Sequence, residues 1–179
     1  MLNQKEYYQK IKELNIKHYA GETSYYTQAP VRKVEHAILS KLNKGATLLD
    51  LGCGSGRFSI GAAQSGFNVI GIDITPDAIM AAQQKAGKLG IKNIKFFVGD
   101  MATLPFNDKF FDYVFCPRFS INAIATFSQR ERAIKEILRV VKDDGAVFVE
   151  SFNKLYLGKG IAFLLKNILN CFRHTHLSV

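Results

Sequence analysis

An acid followed by three regularly spaced glycines is the segment of the sequence best suited to chemistry. Asp50 stands two residues before Gly52, and Gly54 and Gly56 follow at every second position. Glycines let the backbone turn sharply and approach a ligand without an intervening side chain. An apolar run precedes them and a helical pattern follows, so free N–H groups and a positive dipole end would face the loop. The segment is a candidate ligand loop, and a tight structural turn is the alternative.

A second acid ends the next apolar run. Asp73 closes the segment Asn68–Asp73, where a carboxylate can accept hydrogen bonds from both hydroxyls of a ribose. A solvated residue that merely ends a strand is the alternative. The glycine spacing is G-x-G-x-G, whereas the dinucleotide fingerprint is G-x-G-x-x-G, which disfavours an NAD-dependent oxidoreductase. The acid and the glycine loop together favour a ribose-binding site.

Alternating strands and helices must position these groups. Short apolar runs predict five strands, at residues 47–51, 68–73, 94–98, 113–116 and 146–151. Helical patterns lie between them at residues 57–64, 76–89 and 128–141. Ser128–Glu131 has the form of a capping box at the start of the last of these helices. The fold class is predicted to be α/β, with a doubly wound, mostly parallel sheet.

Helices are also predicted at both ends of the chain. The first covers Gln4–Ile16, a loop follows at residues 19–27, and a further helix covers Pro30–Leu42. The first helix has an apolar stripe made of Tyr7, Ile11 and Leu14. A last helix is predicted over Leu155–Phe172, and its apolar face is too broad for a free surface helix.

Over Gly45–Glu150 the chain resembles the class I S-adenosylmethionine (SAM) dependent methyltransferases, in particular the small-molecule, type 11 members. The segments that carry the resemblance are Leu48–Gly56, Val69–Asp73, Phe97–Phe106, Phe111–Cys116 and Glu136–Gly145. The resemblance implies a Rossmann-like fold with strand order 3-2-1-4-5. The family's antiparallel 7-6 hairpin has no counterpart in the predicted elements, so the edge of strand five is expected to be covered by a homodimer or a swapped segment.

The resemblance divides the chain into three parts of a single domain. Residues 1–44 would form a helical cap or lid, residues 45–151 the SAM-binding core, and residues 152–179 a C-terminal helix.

At the methionine end of the cofactor, the resemblance implies contacts from the glycine loop. Gly52, Gly54 and Gly56 would face the methionine moiety, with Cys53 among them. Asp50 would organise the loop and reach the cofactor's amino group through water.

At the adenosine end, the resemblance implies contacts from the loops after three strands. Asp73 would bind the ribose, and Ile74 would lie against one face of the adenine. Asp100 would accept a hydrogen bond from the adenine N6 amino group, with the backbone N–H of Met101 near N1. Pro117, after strand four, completes the set. Ile74 and Met101 also fit ordinary core positions.

No invariant catalytic set is expected, because methyl transfer from a sulfonium depends chiefly on proximity and alignment. Four residues are candidates to meet the acceptor or move a proton: Tyr25, Tyr26, Arg118 and His18. Tyr19 and His36 are further possibilities. The alternatives are tyrosines that pack a helix on the sheet, an arginine paired with a surface carboxylate, and histidines on the surface.

Three kinds of acceptor or role stay open. Cys116–Asn122 does not match the Asn/Asp-Pro-Pro-aromatic motif of enzymes that methylate amino groups of nucleic acids, which favours a small-molecule acceptor. The net charge of +9 leaves an RNA methyltransferase as the alternative, although the basic residues are spread along the chain. The missing hairpin leaves a non-catalytic SAM-binding module as a third possibility.

Composition places the chain in an ordinary globular class. It has 179 residues, of which 47% are hydrophobic and 22% charged. No signal peptide or membrane-spanning run is predicted, and the three cysteines have neither disulfide nor metal-ligand spacing. A cytoplasmic protein without a metal is expected.

Overall fold

The computed structural model describes the backbone of residues 4–28, 30–152 and 162–166. Its centre is a six-stranded sheet with the order β3-β2-β1-β4-β5-β6. The strands are β1 (Thr47–Leu51), β2 (Asn68–Asp73), β3 (Ile94–Val98), β4 (Phe111–Cys116), β5 (Val141–Phe152) and β6 (Ala162–Lys166). The first five are parallel and β6 is antiparallel to β5. The predicted doubly wound sheet with order 3-2-1-4-5 is confirmed.

Five helices accompany the sheet in the described residues. They are α1 (Gln4–Gln28), α2 (Lys33–Leu39), α3 (Arg57–Gln64), α4 (Pro76–Lys88) and α5 (Phe127–Val140), and a short 3-10 turn covers Ser120–Ala123. The bounds predicted for β1, β2, β3 and α3 are confirmed.

The two faces of β1 are buried in different clusters, because successive side chains of a strand point to opposite sides. Leu48 packs with Phe58 and Phe67 on the face covered by α2 and α3. Leu49 packs on the other face, with Val114 and with Ile137 of α5. A strand buried on both sides reads as a continuous apolar run, which is why its position is predictable from sequence.

The N-terminal prediction is wrong in three respects. The predicted helix Pro30–Leu42 is shorter, because α2 begins at Lys33 after the N-cap Arg32 and ends at Leu39. α1 continues to Gln28, so residues 19–27 are helical and not a loop. Gly21 is a single unfavourable residue within a helix, and the next strong break is Pro30, which disfavours helix in the residue before it. Tyr7 and Leu14 of the predicted stripe are exposed, because α1 turns a different face to the rest of the fold.

The start of α5 also differs from the prediction. The N-cap is Thr126, whose Oγ1 accepts a hydrogen bond from the Gln129 N–H at 3.3 Å, so the helix begins before the predicted capping box. Ser128 lies inside the first turn instead. β5 begins at Val141, directly after α5, and extends beyond the predicted strand at both ends.

The predicted C-terminal helix is wrong for Ala162–Lys166, which form β6; the rest of residues 153–179 lies outside the described residues. β6 pairs with Phe148–Phe152 of β5, in register from Phe148 opposite Lys166 to Phe152 opposite Ala162. As β6, this short apolar segment forms backbone hydrogen bonds with β5 at the sheet edge, which suits it better than an isolated helix. Because β6 covers this part of the β5 edge, the expected reason for a homodimer does not hold there.

Within the part of the chain that the structure describes, no helix combines the length and apolar character needed to cross a membrane.

Candidate cofactor site

A cavity of about 300 Å³ lies beyond the carboxyl ends of β1, β2 and β4. This is the crevice where open α/β sheets bind ligands. Among the residues that line it are nine of the ten predicted cofactor residues: Asp50, Gly52, Cys53, Gly54, Asp73, Ile74, Asp100, Met101 and Pro117. The site predicted from separate segments of sequence therefore comes together in one cavity.

The glycine loop is held against the end of β2 by its own backbone. The N–H groups of Gly52 and Cys53 both donate to the carbonyl of Ile72, at 2.8 and 3.0 Å. Gly52 and Gly54 have φ angles of +71° and +53°, in the left-handed region that glycine adopts without strain. A Cβ at Gly52 would lie 2.4 Å from Ser120 Oγ, whereas a Cβ at Gly54 would meet nothing within 4 Å. Gly54 therefore leaves open space where the loop faces the cavity.

Gly56 is the one predicted cofactor residue that does not line the cavity. It caps α3 at φ +79°, and a Cβ there would lie 2.8 Å from Phe96 Cζ and 3.0 Å from Ala82 Cβ. Gly56 therefore has a packing role, because α3 can approach β3 and α4 closely only where a side chain is absent. Its contact with the methionine moiety stays a prediction.

Two alanine substitutions should separate these roles. We expect Gly54→Ala to cost about 1 kcal/mol of unfolding free energy through its left-handed backbone, and to weaken SAM binding by filling ligand space. Gly56→Ala should cost about 2–3 kcal/mol, because overpacking adds to the same backbone strain. Urea unfolding and calorimetric titration of both variants measure the two effects. Equal stability losses would contradict the packing role of Gly56.

Asp73 bridges the glycine loop and the start of α4. Its Oδ2 accepts a hydrogen bond from the Gly54 N–H at 2.8 Å, and its Oδ1 accepts one from the Thr75 N–H at 2.9 Å. A carboxylate offers about four acceptor positions, so two remain for other donors. The partly buried side chain lines the cavity.

Asp50 is fully buried at the end of β1, and it receives a hydrogen bond from the Ser59 hydroxyl through Oδ2. Burial raises the pKa of Asp50 to about 7, although the Ser59 hydroxyl and the nearby Arg57 charge act in the opposite direction. The carboxyl group is therefore poised to titrate near neutral pH and would become more acidic beside a cationic ligand group.

Three buried side-chain oxygens have no hydrogen-bond partner among the described residues: Asp50 Oδ1, Ser55 Oγ and Thr75 Oγ1. All three residues line the cavity. Buried polar atoms are normally paired, and leaving one unpaired costs about 1–3 kcal/mol. A ligand with several donors would satisfy them, and the amino group and hydroxyls of SAM are such donors, so the residues present fit this cofactor.

α1 supplies a wall of the cavity that the sequence pattern does not reveal. The lining residues of this helix are Tyr8, Ile11, Lys12 and Asn15. Their spacing places them on one helical face. Ile11 belongs to the predicted apolar stripe, but Lys12 and Asn15 are polar and Tyr8 is amphipathic. A search for apolar periodicity therefore groups Ile11 with the exposed Tyr7 and Leu14. A search for i, i+4 and i+7 positions that combine polar with apolar residues would have found this face.

Asp100, in the loop after β3, is hydrogen-bonded to this wall of the cavity. Its Oδ2 accepts hydrogen bonds from Tyr8 Oη at 2.9 Å and Lys12 Nζ at 3.0 Å, and its Oδ1 accepts one from the Ala102 N–H at 2.9 Å. Burial alone would raise the pKa of Asp100, but these three donors outweigh it and hold the pKa below its usual value. Asp100 is therefore a carboxylate over the physiological range.

The loop after β4, which also lines the cavity, has a strained backbone. Arg118 and Phe119 have φ angles of +53° and +62°, and left-handed conformations are uncommon for residues other than glycine. The Arg118 N–H donates to Glu150 Oε2 at 2.8 Å, which ties this turn to the end of β5. The Arg118 side chain is exposed and the residue lines the cavity, as required of an acceptor-side candidate.

A chain of buried and partly buried ion pairs connects this turn with the glycine loop. Arg32 donates to both oxygens of Glu150 and also pairs with Glu35. Arg57, in the first turn of α3, donates to Glu35 Oε2 at 2.6 Å and to Glu35 Oε1 at 2.7 Å. These residues are far apart in sequence, and no local motif predicts that they meet.

Of the other predicted acceptor-side residues, the two histidines lie away from the cavity. His18 and His36 are exposed and do not line it. Tyr19, Tyr25 and Tyr26 lie in the second half of α1, and their side chains are outside what the structure describes.

Comparison with known proteins gives a consistent family. A family model described as a methyltransferase domain matches residues 42–174. The putative methyltransferase YqeM of Bacillus subtilis is 32% identical over 136 residues, covering 74% of this chain and 54% of that protein. The 2-methyl-6-phytyl-1,4-hydroquinone methyltransferase of Synechocystis is 38% identical over 119 residues, covering 65% of this chain and 35% of that protein.

A solved structure agrees with these sequence matches. A SAM-dependent methyltransferase from Methanosarcina mazei superposes with a TM-score of 0.62 at 29% identity, covering 71% of this chain and 60% of that one. In each of these comparisons, this chain spans less than two thirds of the other protein.

Proposed function

The chain belongs to the class I SAM-dependent methyltransferases, and we propose that it transfers a methyl group from SAM to a small organic acceptor. The observation that carries the cofactor assignment is the unpartnered Oδ1 of buried Asp50, which lines the same cavity as the glycine loop and Asp73. A buried, unpaired acceptor beside the open space at Gly54 suits a ligand that carries a hydrogen-bond donor.

We assign the methionine end of SAM to the glycine loop. Asp50 would bind the amino group, and Gly54 would leave room for the chain of the amino acid. Ser55 and Thr75 have buried hydroxyl oxygens without a hydrogen-bond partner among the described residues, and these oxygens are available to the ligand. A cationic amino group beside Asp50 would hold that carboxyl group in its charged form.

We assign the adenosine end of SAM to β2 and the loop after β3. The two acceptor positions left on Asp73 would bind the ribose hydroxyls. The position left on Asp100 would bind the adenine amino group, with Ile74 and Met101 beside the ring. Each assignment uses an acceptor that is still available after the protein's own hydrogen bonds are counted.

When bound, SAM supplies an electrophilic methyl group on a sulfonium, which is already a good leaving group. The chain's own residues would then align the acceptor with that methyl group and exclude water. Arg118 and Ser120 stand on the side of the cavity away from α4 and β2, where we place the acceptor. Arg118 is suited to an anionic group on the acceptor.

Three arguments favour a small acceptor. The cavity is walled by α1 and by the loop after β4, in a size range that suits small ligands. The residues after β4 are Cys116, Pro117 and Arg118, and not the motif of enzymes that methylate nucleic-acid amino groups. The Synechocystis relative is named as the methyltransferase of a hydroquinone, which is also a small molecule.

Calorimetric titration with SAM, S-adenosylhomocysteine and NAD tests the cofactor part of this proposal. We expect binding of the two adenosyl ligands without binding of NAD. A folded chain that binds neither adenosyl ligand would overturn the proposal for this chain, and one that also binds NAD would overturn the choice of cofactor.

Transfer of a radiolabelled methyl group tests the acceptor part. We expect label in a mixture of small phenols, amines and carboxylates, and none in bulk transfer RNA. Label in RNA that disappears as the salt concentration rises would favour the RNA methyltransferase. Cofactor binding without label in either pool would favour the non-catalytic module.

A further inference from the structure

α1 brings two polar side chains to the carboxylate that we assign to the adenine. Tyr8 Oη and Lys12 Nζ both donate to Asp100 Oδ2, and neither contact belongs to the motif that identifies Asp100. Tyr8 is buried, and the Lys12 side chain is about one quarter exposed, at 26%. These contacts therefore lie within the wall of the cavity and not on its outer surface.

The acceptor positions of Asp100 can be counted. Tyr8 and Lys12 together fill Oδ2, and the Ala102 N–H fills one position of Oδ1. A carboxylate has about four positions, so one position of Oδ1 remains once the hydrogen bonds of the described residues are counted. The donors from α1 thus leave one acceptor, of known location, for a ligand.

We propose that Tyr8 and Lys12 are positioning residues for the cofactor: they fix Asp100 as a group that only accepts hydrogen bonds, and so select a 6-amino purine over a 6-oxo purine. This inference rests on the proposed function, because it takes the adenine to be the ligand of Asp100. A carboxylate that cannot donate binds an amino group and repels a carbonyl oxygen. A protonated carboxyl group can donate to the carbonyl oxygen and accepts more weakly from the amino group, so it discriminates less between the two bases.

The groups around Asp100 support this role. Burial of the carboxyl group favours protonation, and the ammonium of Lys12 is the charged group that opposes it. Tyr8 stays neutral, because burial and the Asp100 charge raise its pKa; the charge of Arg132 acts on Tyr8 in the opposite direction. Removing the Lys12 charge should therefore raise the pKa of Asp100 toward neutral pH.

The test compares α1 variants whose side chains face Asp100 with variants on the same helix that face solvent. Lys12→Met and Tyr8→Phe remove the contacts to Asp100. Lys10→Met and Tyr7→Phe are their matched controls, because Lys10 and Tyr7 are exposed. Calorimetry measures the affinity for S-adenosylhomocysteine and for S-inosylhomocysteine, its 6-oxo analogue, between pH 5.5 and pH 8. Because Asp50 titrates in the same range, the quantity compared is the ratio of variant to unaltered affinity at each pH.

We expect Lys12→Met to reduce S-adenosylhomocysteine affinity up to about tenfold, with a larger loss at pH 5.5 than at pH 8, because without the Lys12 charge a larger share of Asp100 is protonated as the pH falls. The ratio of its affinity for S-adenosylhomocysteine to its affinity for S-inosylhomocysteine should decrease as the pH falls. Tyr8→Phe should act in the same direction more weakly, and both control variants should leave the ratios near one. A loss that is equal at both pH values, with the base preference unchanged, would overturn the inference and indicate a merely structural role for α1.

Asp100→Asn keeps the test decisive if an α1 variant fails to fold. An amide can donate to a 6-oxo group and never ionises. We expect this variant to lose affinity for the 6-amino ligand, gain affinity for the 6-oxo ligand, and show no change in preference with pH. If Asp100→Asn kept the preference of the unaltered chain for the 6-amino ligand, the inference would be overturned. The proposed function would stand in that case as long as the unaltered chain binds S-adenosylhomocysteine.

Discussion

Replacing Arg57 with methionine should lower the free energy of unfolding by about 3 kcal/mol at neutral pH, the largest stability effect we expect from a single side chain outside the apolar core. Arg57 and Glu35 are both buried, and they form two hydrogen bonds with each other. Methionine leaves the buried Glu35 carboxylate without this partner. The loss should lie at the lower end of the range for broken buried pairs, because Arg32 still donates to Glu35. Urea unfolding at constant temperature measures it.

The pH dependence of this loss identifies its cause. Burial alone would raise the pKa of Glu35, but the hydrogen bonds from Arg57 and from the Arg32 N–H hold it below its usual value. The pair therefore stabilises the fold above the unfolded pKa of Glu35, and its contribution disappears as the pH falls through the lower folded pKa. In Arg57→Met the folded pKa of Glu35 should rise, so acidification should narrow the stability gap between the variant and the unaltered chain.

Two matched variants complete this experiment. Lys135→Met breaks an exposed pair with Glu131 and should cost less than about 1 kcal/mol. Arg57→Met combined with Glu35→Leu removes both charges and should recover much of the loss, because the unpaired carboxylate is its source. If the double variant were as unstable as the single one, packing around Arg57 and not its charge would explain the effect.

The ion pairs also show which parts of the site could be predicted from sequence. Asp50 and Asp73 are predictable because each ends a short, continuously apolar strand beside a loop whose glycines have a characteristic spacing. These signals are local, and the parallel sheet brings the ends of neighbouring strands together. The pairing of Arg32 with Glu150 has no local signal, because 118 positions separate the two residues.

Other differences have different physical causes. Gly56 shares its spacing with Gly52 and Gly54, but the turn points it toward Phe96 and away from the cavity. Sequence spacing alone does not give the direction of each glycine in a turn. Tyr8 and Lys12 are missed because the face of α1 that meets the fold combines the core contact of Tyr8 with polar residues that line the cavity. Helical periodicity of apolar residues finds surfaces buried in cores, and it misses surfaces that border a polar cavity.

Asp73→Ala should weaken binding of S-adenosylhomocysteine by about 2–3 kcal/mol, or roughly 30- to 150-fold, which is the largest binding effect we expect from one substitution. The substitution removes the proposed ribose contacts and also the support of the glycine loop, and both losses weaken binding. The carboxylate has two acceptor positions left for the ribose hydroxyls, and its other two positions hold the N–H groups of Gly54 and Thr75. Asp77→Ala is the matched control, since Asp77 is an exposed acid in the first turn of α4. Calorimetric titration of both variants measures the difference.

A ligand lacking one hydroxyl separates the two contributions of Asp73. If Asp73 binds the ribose, 2′-deoxy-S-adenosylhomocysteine should bind the unaltered chain more weakly than the full ligand, and this difference should disappear in Asp73→Ala. If Asp73 only holds the glycine loop, the penalty for the missing hydroxyl should be the same in both proteins. A large loss of affinity with an unchanged penalty would therefore transfer the ribose contact to another residue. Asp73 would then act on the cofactor solely by fixing the backbone N–H groups of Gly54 and Thr75.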